Sequence, residues 1–393
     1  MSATSTHFKV GNGDMHLLKT FSEKRVLIDI NVRADADDPY GEAADVATQL
    51  RSRLKRHPGG YLYVDVFVLT HPDQDHCRGL QKHFHLGPVS EWRSGSDKIV
   101  ILEMWSSPIV FRRASKRHTL CEDAKAWATE ARRRVKRFRQ DGYLSDGDRI
   151  LVLGEDIDGK TDDLGPILIG AGSVFQTICG VTQADFRARL LAPMLADDDE
   201  EAEFLSKNDS SVVLNIELAA VSLPGGGQFL FGGDARVGIW ERIRKRHADT
   251  PEHLQYDILV APHHCSWRSL SWDSWSERGE DAEVSADARS ALGQALSGAY
   301  IVSSSKPVHD DDSDPPCIRA KREYEFILDS VNGTFECLGD LTSDGPLEFE
   351  ITRYGPKLKS RGFVAAKPAI VGGLAGTAAG SSSAYGSQPF RHG

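Results

Sequence analysis

Two apolar runs in this chain end in histidines, and that pattern constrains the fold more than any other feature. "YLYVDVFVLT" (Tyr61–Thr70) is too continuously apolar to leave one face in water, which marks a strand buried on both sides. It stops at "HPDQDH", His71 to His76. "YDILVAP" (Tyr256–Pro262) repeats the pattern and stops at His263 and His264. Strands buried on both faces belong to α/β folds, so the chain is expected to be α/β, with strand ends that deliver imidazole and carboxylate groups.

The remaining elements agree with that class. "THFKV", "MHLLKTF" and "KRVLIDI" read as strands with a glycine turn between the first two, and a helix is expected over about 41–56. Leu120, Ala124, Trp127, Ala131, Val135 and Phe138 step by 4, 3, 4, 4 and 3, one face of an amphipathic helix. "DRILVLGED", "SSVVLNIEL" and "GGQFLFGGDA" read as core strands, the last ending at Asp234. "GAYIVSSS" reads as another strand, a helix is expected in "PPCIRAKREYEFILDSV", and "GTFECLG" with "PLEFEITRY" reads as a hairpin. A single domain over 1–364 is expected, with a helical insertion at about 90–165. The Ala/Gly/Ser-rich segment 365–393 is expected to be a disordered tail, because it has too few large apolar residues to repay its ordering entropy. The acidic run Asp197–Glu203 reads as a solvated loop.

Length and composition bound the function. A chain of 393 residues with 40% hydrophobic content fills a sizeable core. A net charge of −10 gives no global attraction to nucleic acid or anionic membrane. No apolar run approaches the roughly 20 residues that span a bilayer, so no membrane role is expected. Six scattered cysteines without a CxxC pair, and a start lacking a signal-peptide pattern, fit a cytoplasmic location.

The chemistry lies in "THPDQDH". Alternating residues of a tight loop point the same way, so His71 and Asp73 can grip one ion while Asp75 and His76 reach a second close by. Imidazole with carboxylate suits zinc, manganese or iron, and paired ions roughly 3.5–4 Å apart activate water and clamp a phosphoryl group. Alone, the loop reads equally as a surface turn whose aspartates cap a helix. Two further ligand-bearing strand ends, at Asp234 and at His263/His264, weigh against that reading.

With these residues in order, the sequence resembles the metallo-β-lactamase superfamily, in the branch typified by the hydrolase domain of competence-type DNA-uptake channels. The resemblance runs through "VGNGD" (Val10–Asp14), "LIDI" (Leu27–Ile30), "THPDQDHCRG" (Thr70–Gly79), "NDSSVVL" (Asn208–Leu214), "FGGDA" (Phe231–Ala235) and "APHHCS" (Ala261–Ser266), six ordered motifs between about Phe8 and Ser305. It implies an αββα four-layer sandwich with two divalent ions, zinc or manganese, at one edge. His71 and Asp73 would hold one ion, Asp75, His76 and His263 the other, and Asp234 would bridge them above a buried Asp29. Asp73 stands where many superfamily members have histidine, which makes that site richer in oxygen. The third histidine of the wider superfamily is missing, with Asn208 or Asp209 placed to substitute. His264 is expected to orient a ligand or donate a proton, Asp14 to be at most a support, and Cys77 and Cys265 to be ordinary small side chains.

The implied activity is metal-dependent hydrolysis by activated water, with Asp75 or Asp234 orienting the nucleophile and a phosphodiester, foremost nucleic acid, as substrate. "ARRRVKRFRQ" (Ala131–Gln140), "ERIRKRH" (Glu241–His247) and Trp267, Trp272 and Trp275 are candidate contacts to phosphates and bases. The bland readings are solvated helix faces and a loop pinned to the core. The alternatives are a hydrolase of a small ester, lactone or non-nucleic phosphodiester, and a metal-binding partner protein without activity.

Overall fold

The computed structural model describes residues 2–37, 41, 43–108, 120–155, 159–195 and 210–362. The expected tail, the acidic run Asp197–Glu203 and the candidates Asn208 and Asp209 lie outside these described residues.

Two sheets face each other. The first runs in the order Leu168–Ile169, Arg149–Leu153, Ile99–Ser106, Leu62–Leu69, Arg25–Ile28, His16–Lys19, Ala3–His7, Leu347–Thr352 and Gly355–Arg361. From Arg25–Ile28 outward to Leu168–Ile169 the neighbours are parallel, and on the other side they are antiparallel. The second runs in the order Val174–Phe175, Phe186–Ala192, Val213–Ala219, Gly226–Phe231, Tyr256–Val260, Ala295–Ser303 and Thr334–Cys337. It likewise changes from antiparallel to parallel pairing at Gly226–Phe231.

Three apolar layers hold the sheets and helices together. Between the sheets, Val26, Ile28, Val66 and Val68 meet Leu214, Ile216, Phe229, Phe231, Ile258 and Val260. Outside the first sheet, Phe67 and Leu69 are covered by Trp127, Ala131 and Val135 of the helix Glu122–Asp141. Outside the second, Leu230, Leu259 and Ile301 are covered by Trp240 and Ile243 of the helix Val237–Arg246 and by Tyr324 and Ile327 of the helix Ile318–Asp329. Strands supply apolar groups to both faces because both faces are covered. The result is the expected αββα sandwich. No helix among the described residues is long and apolar enough to cross a membrane.

Three expectations change. "GTFECLG" and "PLEFEITRY" form no hairpin with each other: Thr334–Cys337 lies parallel to Ala295–Ser303 in the second sheet, and Leu347–Thr352 pairs in the first sheet with Ala3–His7 and Gly355–Arg361. The stretch 90–165 is no helical insertion: it contributes two strands of the first sheet, Ile99–Ser106 paired parallel to Leu62–Leu69 and Arg149–Leu153 beside it, plus the helix that covers them. Every residue of Ile99–Ser106 is buried, as a strand between two layers requires. The helix expected over 41–56 shortens to Val46–Arg51, started by Asp45, whose side chain accepts from the Thr48 N–H. Lys55–Arg56 instead pairs with Leu62–Leu69 around the turn at Pro58–Gly60.

One buried acid lies in this framework. Glu103, in the central strand Ile99–Ser106, receives the Trp105 indole N–H at 2.8 Å, while its other carboxylate oxygen has no partner. Burial pushes its carboxyl from the ordinary 4.5 up to about 7 against the pull of that hydrogen bond. An acid with a raised folded-state pKa contributes its full stability below the unfolded value and loses it as pH rises to the folded one. Glu103 therefore costs stability progressively between about pH 4.5 and 7, up to about 3 kcal/mol. Glu103→Gln should remove that component: the stability gap between variant and wild type, measured by denaturant titration at a series of pH values, should widen across the window. A constant gap would mean that Glu103 is not a buried acid of this kind.

Candidate metal centre

The site forms where the parallel strands of both sheets end, the position at which α/β sheets place ligand-binding groups. Leu62–Leu69 runs into Thr70 and His71, and the chain then makes one helical turn, Gln74–Cys77, that carries Asp75 and His76. The neighbouring strand Arg25–Ile28 ends at Asp29, which is fully buried in the left-handed region at φ 54°. Its carboxylate accepts from the Thr70 N–H at 2.8 Å, the Thr70 hydroxyl at 2.5 Å and His76 Nδ1 at 2.7 Å. The His76 ring is thereby turned with Nε2 outward, the arrangement by which a buried carboxylate orients a metal-binding imidazole.

The second sheet approaches from the opposite side. Gly226–Phe231 runs through Gly232 and Gly233 to Asp234. Gly233 has φ 48°, and a Cβ there would lie 2.9 Å from the Thr70 hydroxyl, so glycine lets the two sheets close at this point. Tyr256–Val260 leads to His263, His264 and Cys265, three successive non-glycine residues in the left-handed region at φ 51°, 55° and 68°. Such backbone costs on the order of 1–3 kcal/mol per residue and concentrates at functional sites. The His263 N–H donates to the Gly233 carbonyl at 2.9 Å, which ties this turn to Asp234.

The side chains fall into two groups around one carboxylate. Asp234 Oδ2 faces His71 Nε2 at 3.2 Å and His263 Nε2 at 3.6 Å, with Asp73 Oδ2 3.9 Å from His71 Nε2. Asp234 Oδ1 faces His76 Nε2 at 3.0 Å and His264 Nε2 at 3.5 Å, and Asp75 Oδ2 is 3.4 Å from His264 Nε2. The two imidazole nitrogens of His76 and His264 are themselves only 3.2 Å apart. His71 Nε2 and Asp234 Oδ1 are buried without a hydrogen-bond partner. Orphaned buried groups of this kind are costly, and converging imidazole nitrogens and carboxylate oxygens fit a divalent ion such as zinc or manganese. Two overlapping sets among the described residues bring their donor atoms within 4.8 Å of one another: His71, His76 and Asp234, and Asp14, His76 and His264.

The charges are strongly coupled. Burial opposes ionisation of Asp234, yet His71, His76, His264 and His263 hold its carboxyl well below the usual range. Burial likewise opposes a charged His264, but Asp234, Asp14 and Asp75 raise it to about 10. Asp75 is held below its ordinary value against burial, chiefly by its contact with His264.

Comparison with the sequence reading is specific. His71, Asp73, Asp75, His76 and Asp234 converge, with Asp29 beneath them. The histidines of the second sheet divide differently from expectation: His264 stands with Asp75 and His76, while His263 turns toward the His71 side. The left-handed turn directs them so. His263 thus offers that side an imidazole of the kind for which Asn208 and Asp209 were candidates. Asp14 is buried, with Oδ1 3.5 Å from His264 Nδ1. Its N–H donates to the Asp75 carbonyl at 3.2 Å across Gly13, where a Cβ would lie 2.7 Å from that carbonyl oxygen. Cys77 donates to the Asp73 carbonyl at 3.0 Å and approaches Cys121 Sγ at 3.6 Å, and Cys265 is directed at the Cys317 carbonyl.

The candidate nucleic-acid contacts separate. Trp267 is fully buried in the outer core of the second sheet and does not offer a face to a base, because burying its ring is what anchors the loop. Trp275 packs against it at a ring separation of 6.4 Å. Trp272 is exposed, its indole N–H donating to Glu241 at 3.0 Å. On the helix Glu122–Asp141, Arg134 is buried against Glu130, and Arg133, Arg137 and Arg139 pair with Asp148, Asp141 and Asp163. His7 and His16, fully buried behind Asp14, were not singled out from sequence, and the strands "ATSTH" and "HLLK" that carry them offer no local signal for it.

No family model matches the chain, and no curated protein matches it. Among solved structures it is similar to Igni18, described as a novel metallo hydrolase from the hyperthermophilic archaeon Ignicoccus hospitalis, with a TM-score of 0.35 and 11% identity over 89% of this chain and 100% of that one. It is also similar to unliganded yeast PDE1, with a TM-score of 0.39 and 11% identity over 86% of this chain and 98% of that one.

Removing the acceptor behind His76 tests the geometry. Asp29→Ala should weaken Zn²⁺ binding by about 10–100-fold, the usual loss when a partner behind a metal-bound imidazole is removed. Isothermal titration calorimetry reads this directly. Unchanged affinity would mean that Asp29 does not set the His76 ring.

Proposed function

We propose that the protein is a metal-dependent hydrolase that cleaves phosphodiesters with activated water. The observation that carries this reading is the Asp234 carboxylate, whose two oxygens each face a pair of imidazoles across 3.0–3.6 Å. His71, Asp73 and His263 would hold one ion, Asp75, His76 and His264 a second, and Asp234 would join them. Bound there, two divalent ions lower the pKa of water and neutralise charge on a transferring phosphoryl group.

The chain's own residues supply the remainder. Asp75, 35% exposed against 17% for Asp73 and 4% for Asp234, is the carboxylate nearest the mouth and would orient an incoming water. His264, 1% exposed, is out of reach of a leaving group and acts by orientation, while His263 at 17% is the more accessible imidazole. The left-handed turn and the Asp29 contacts hold these groups in place before substrate arrives, which is how such sites reduce reorganisation during reaction.

A nuclease reading draws on a surface depression of about 550 Å³ on and beside the helix Val237–Arg246, lined by Arg242, Arg244, Lys245 and Trp272 together with the acids Glu241 and Asp287. Cations with an exposed aromatic ring suit a single strand. If bases stack there, Trp272→Ala should weaken single-strand binding by on the order of 1–3 kcal/mol in fluorescence titrations; unchanged binding would leave the small-diester reading.

The deciding assay sets labelled single- and double-stranded DNA and RNA beside bis-p-nitrophenyl phosphate, each with Mn²⁺, Zn²⁺, Mg²⁺ or chelator. Diester cleavage should require metal, and Asp234→Ala should lower it on the order of 1,000-fold, since several kcal/mol of charge stabilisation is lost with both ions. Turnover that survives both chelator and Asp234→Ala would overturn the assignment. Polymer cleavage would establish a nuclease, and turnover of the small diester alone would place the protein among non-nucleic phosphodiesterases.

A further inference from the structure

Behind the cluster lies a line of buried polar side chains that the proposed reaction does not use. His7 and His16 sit directly opposite each other on the paired strands Ala3–His7 and His16–Lys19. Both are fully buried between the sheets, His7 edge-on to Phe349 and His16 beside Phe231. Two imidazoles in an apolar core are costly unless they are partnered. Their Nδ1 atoms meet at 3.0 Å, so one must donate and the other accept. His16 Nε2 then faces Asp14 Oδ1 at 3.6 Å, and the same Asp14 oxygen faces His264 Nδ1 at 3.5 Å.

With both rings neutral, only one assignment of protons suits this line. If His16 donated from Nδ1, its Nε2 lone pair would face a carboxylate oxygen at low dielectric, an arrangement in which two acceptors repel. With His7 as donor, His16 accepts at Nδ1 and turns an N–H toward Asp14. Asp14 then lies between two N–H groups, one from His16 and one from His264, and a bound ion would find the Nε2 side of His264 turned into the cluster. We infer that His7 and His16 form a positioning pair that fixes Asp14 against His264 and so sets the direction in which His264 faces Asp75, His76 and Asp234. This rests on the metallohydrolase reading for its consequence but not for its geometry. Asp14 and Asp29 become equivalent devices: each backs one imidazole of the same group, the first secured by the histidine pair and the second by Thr70.

The test uses the full chain and Zn²⁺ as probe. Long-range ¹⁵N–¹H spectra of the histidines should show His16 with its proton on Nε2; a proton on Nδ1 would overturn the inference. His16→Leu should weaken Zn²⁺ binding by about 10-fold, the lower end of the range for partners behind a metal-bound imidazole. His16→Gln, whose amide can still donate to Asp14, should restore most of it. Equal affinity in wild type and both variants would overturn the inference, as would a loss in His16→Leu that glutamine does not repair. Should His16→Leu fail to fold, His7→Leu replaces it: with the partner of His16 Nδ1 removed, Zn²⁺ binding should weaken several-fold, and unchanged affinity would overturn the role of the pair. A wild-type chain that binds no Zn²⁺ would remove the metallohydrolase reading, while the His16 spectrum still decides the geometry.

Discussion

The carboxylate of Asp29 is the interaction on which the site depends. It is fully buried, and among the described residues three donors meet it: the Thr70 N–H, the Thr70 hydroxyl and His76. A buried anion left with fewer partners would be expelled or neutralised. This requirement fixes the parallel register of Arg25–Ile28 against Leu62–Leu69 at their ends, and with it the direction in which the "THPDQDH" loop leaves the sheet. The loop's ligand types matter only because that exit angle is fixed. The Thr70 hydroxyl has a second neighbour in Gly233, so the same few atoms determine how closely the second sheet brings Asp234.

Asp234 turns two half-sites into one. The residues of the first sheet provide His71, Asp73, Asp75 and His76, and those of the second provide His263 and His264. His264 reaches across to His76 at 3.2 Å and to Asp75 at 3.4 Å, and the Asp234 carboxylate, also from the second sheet, adds one oxygen to each group. The left-handed run through Cys265 accounts for the rest: it brings the consecutive histidines His263 and His264 to different oxygens of that carboxylate.

Local signals made much of this legible in the sequence. The continuous apolar run before His71 announces a covered strand, and the run before His263 announces a second, so the α/β class and the convergence of strand ends follow from periodicity and residue type. Which histidine joins which group does not follow, because it depends on a backbone conformation that non-glycine residues rarely adopt. The stretch 90–165 reads as an insertion because the helix Glu122–Asp141 has the stronger pattern; Ile99–Ser106 becomes a core strand only through its parallel pairing with a segment some 35 residues earlier. Positive charge on that helix was equally visible, but the acids that pair with it, Asp148 and Asp163, come from other elements. His7 and His16 were hidden for a related reason: His7 ends the polar strand "ATSTH" and His16 opens "HLLK", and only their opposition across the ladder gives them a shared role.

The strand Ala3–His7 pairs on one side with His16–Lys19 and on the other with Leu347–Thr352, aligning Ala3 with Ile351. During synthesis, therefore, this strand has one hydrogen-bonding edge free until almost 350 further residues have followed. Contacts of such sequence separation form slowly, and open strand edges invite pairing with other chains. The hairpin Leu347–Arg361 acts as the closing stitch of the first sheet. A ribosome that stalls before it would release a chain with every cluster-forming residue present and its first sheet still open to other strands.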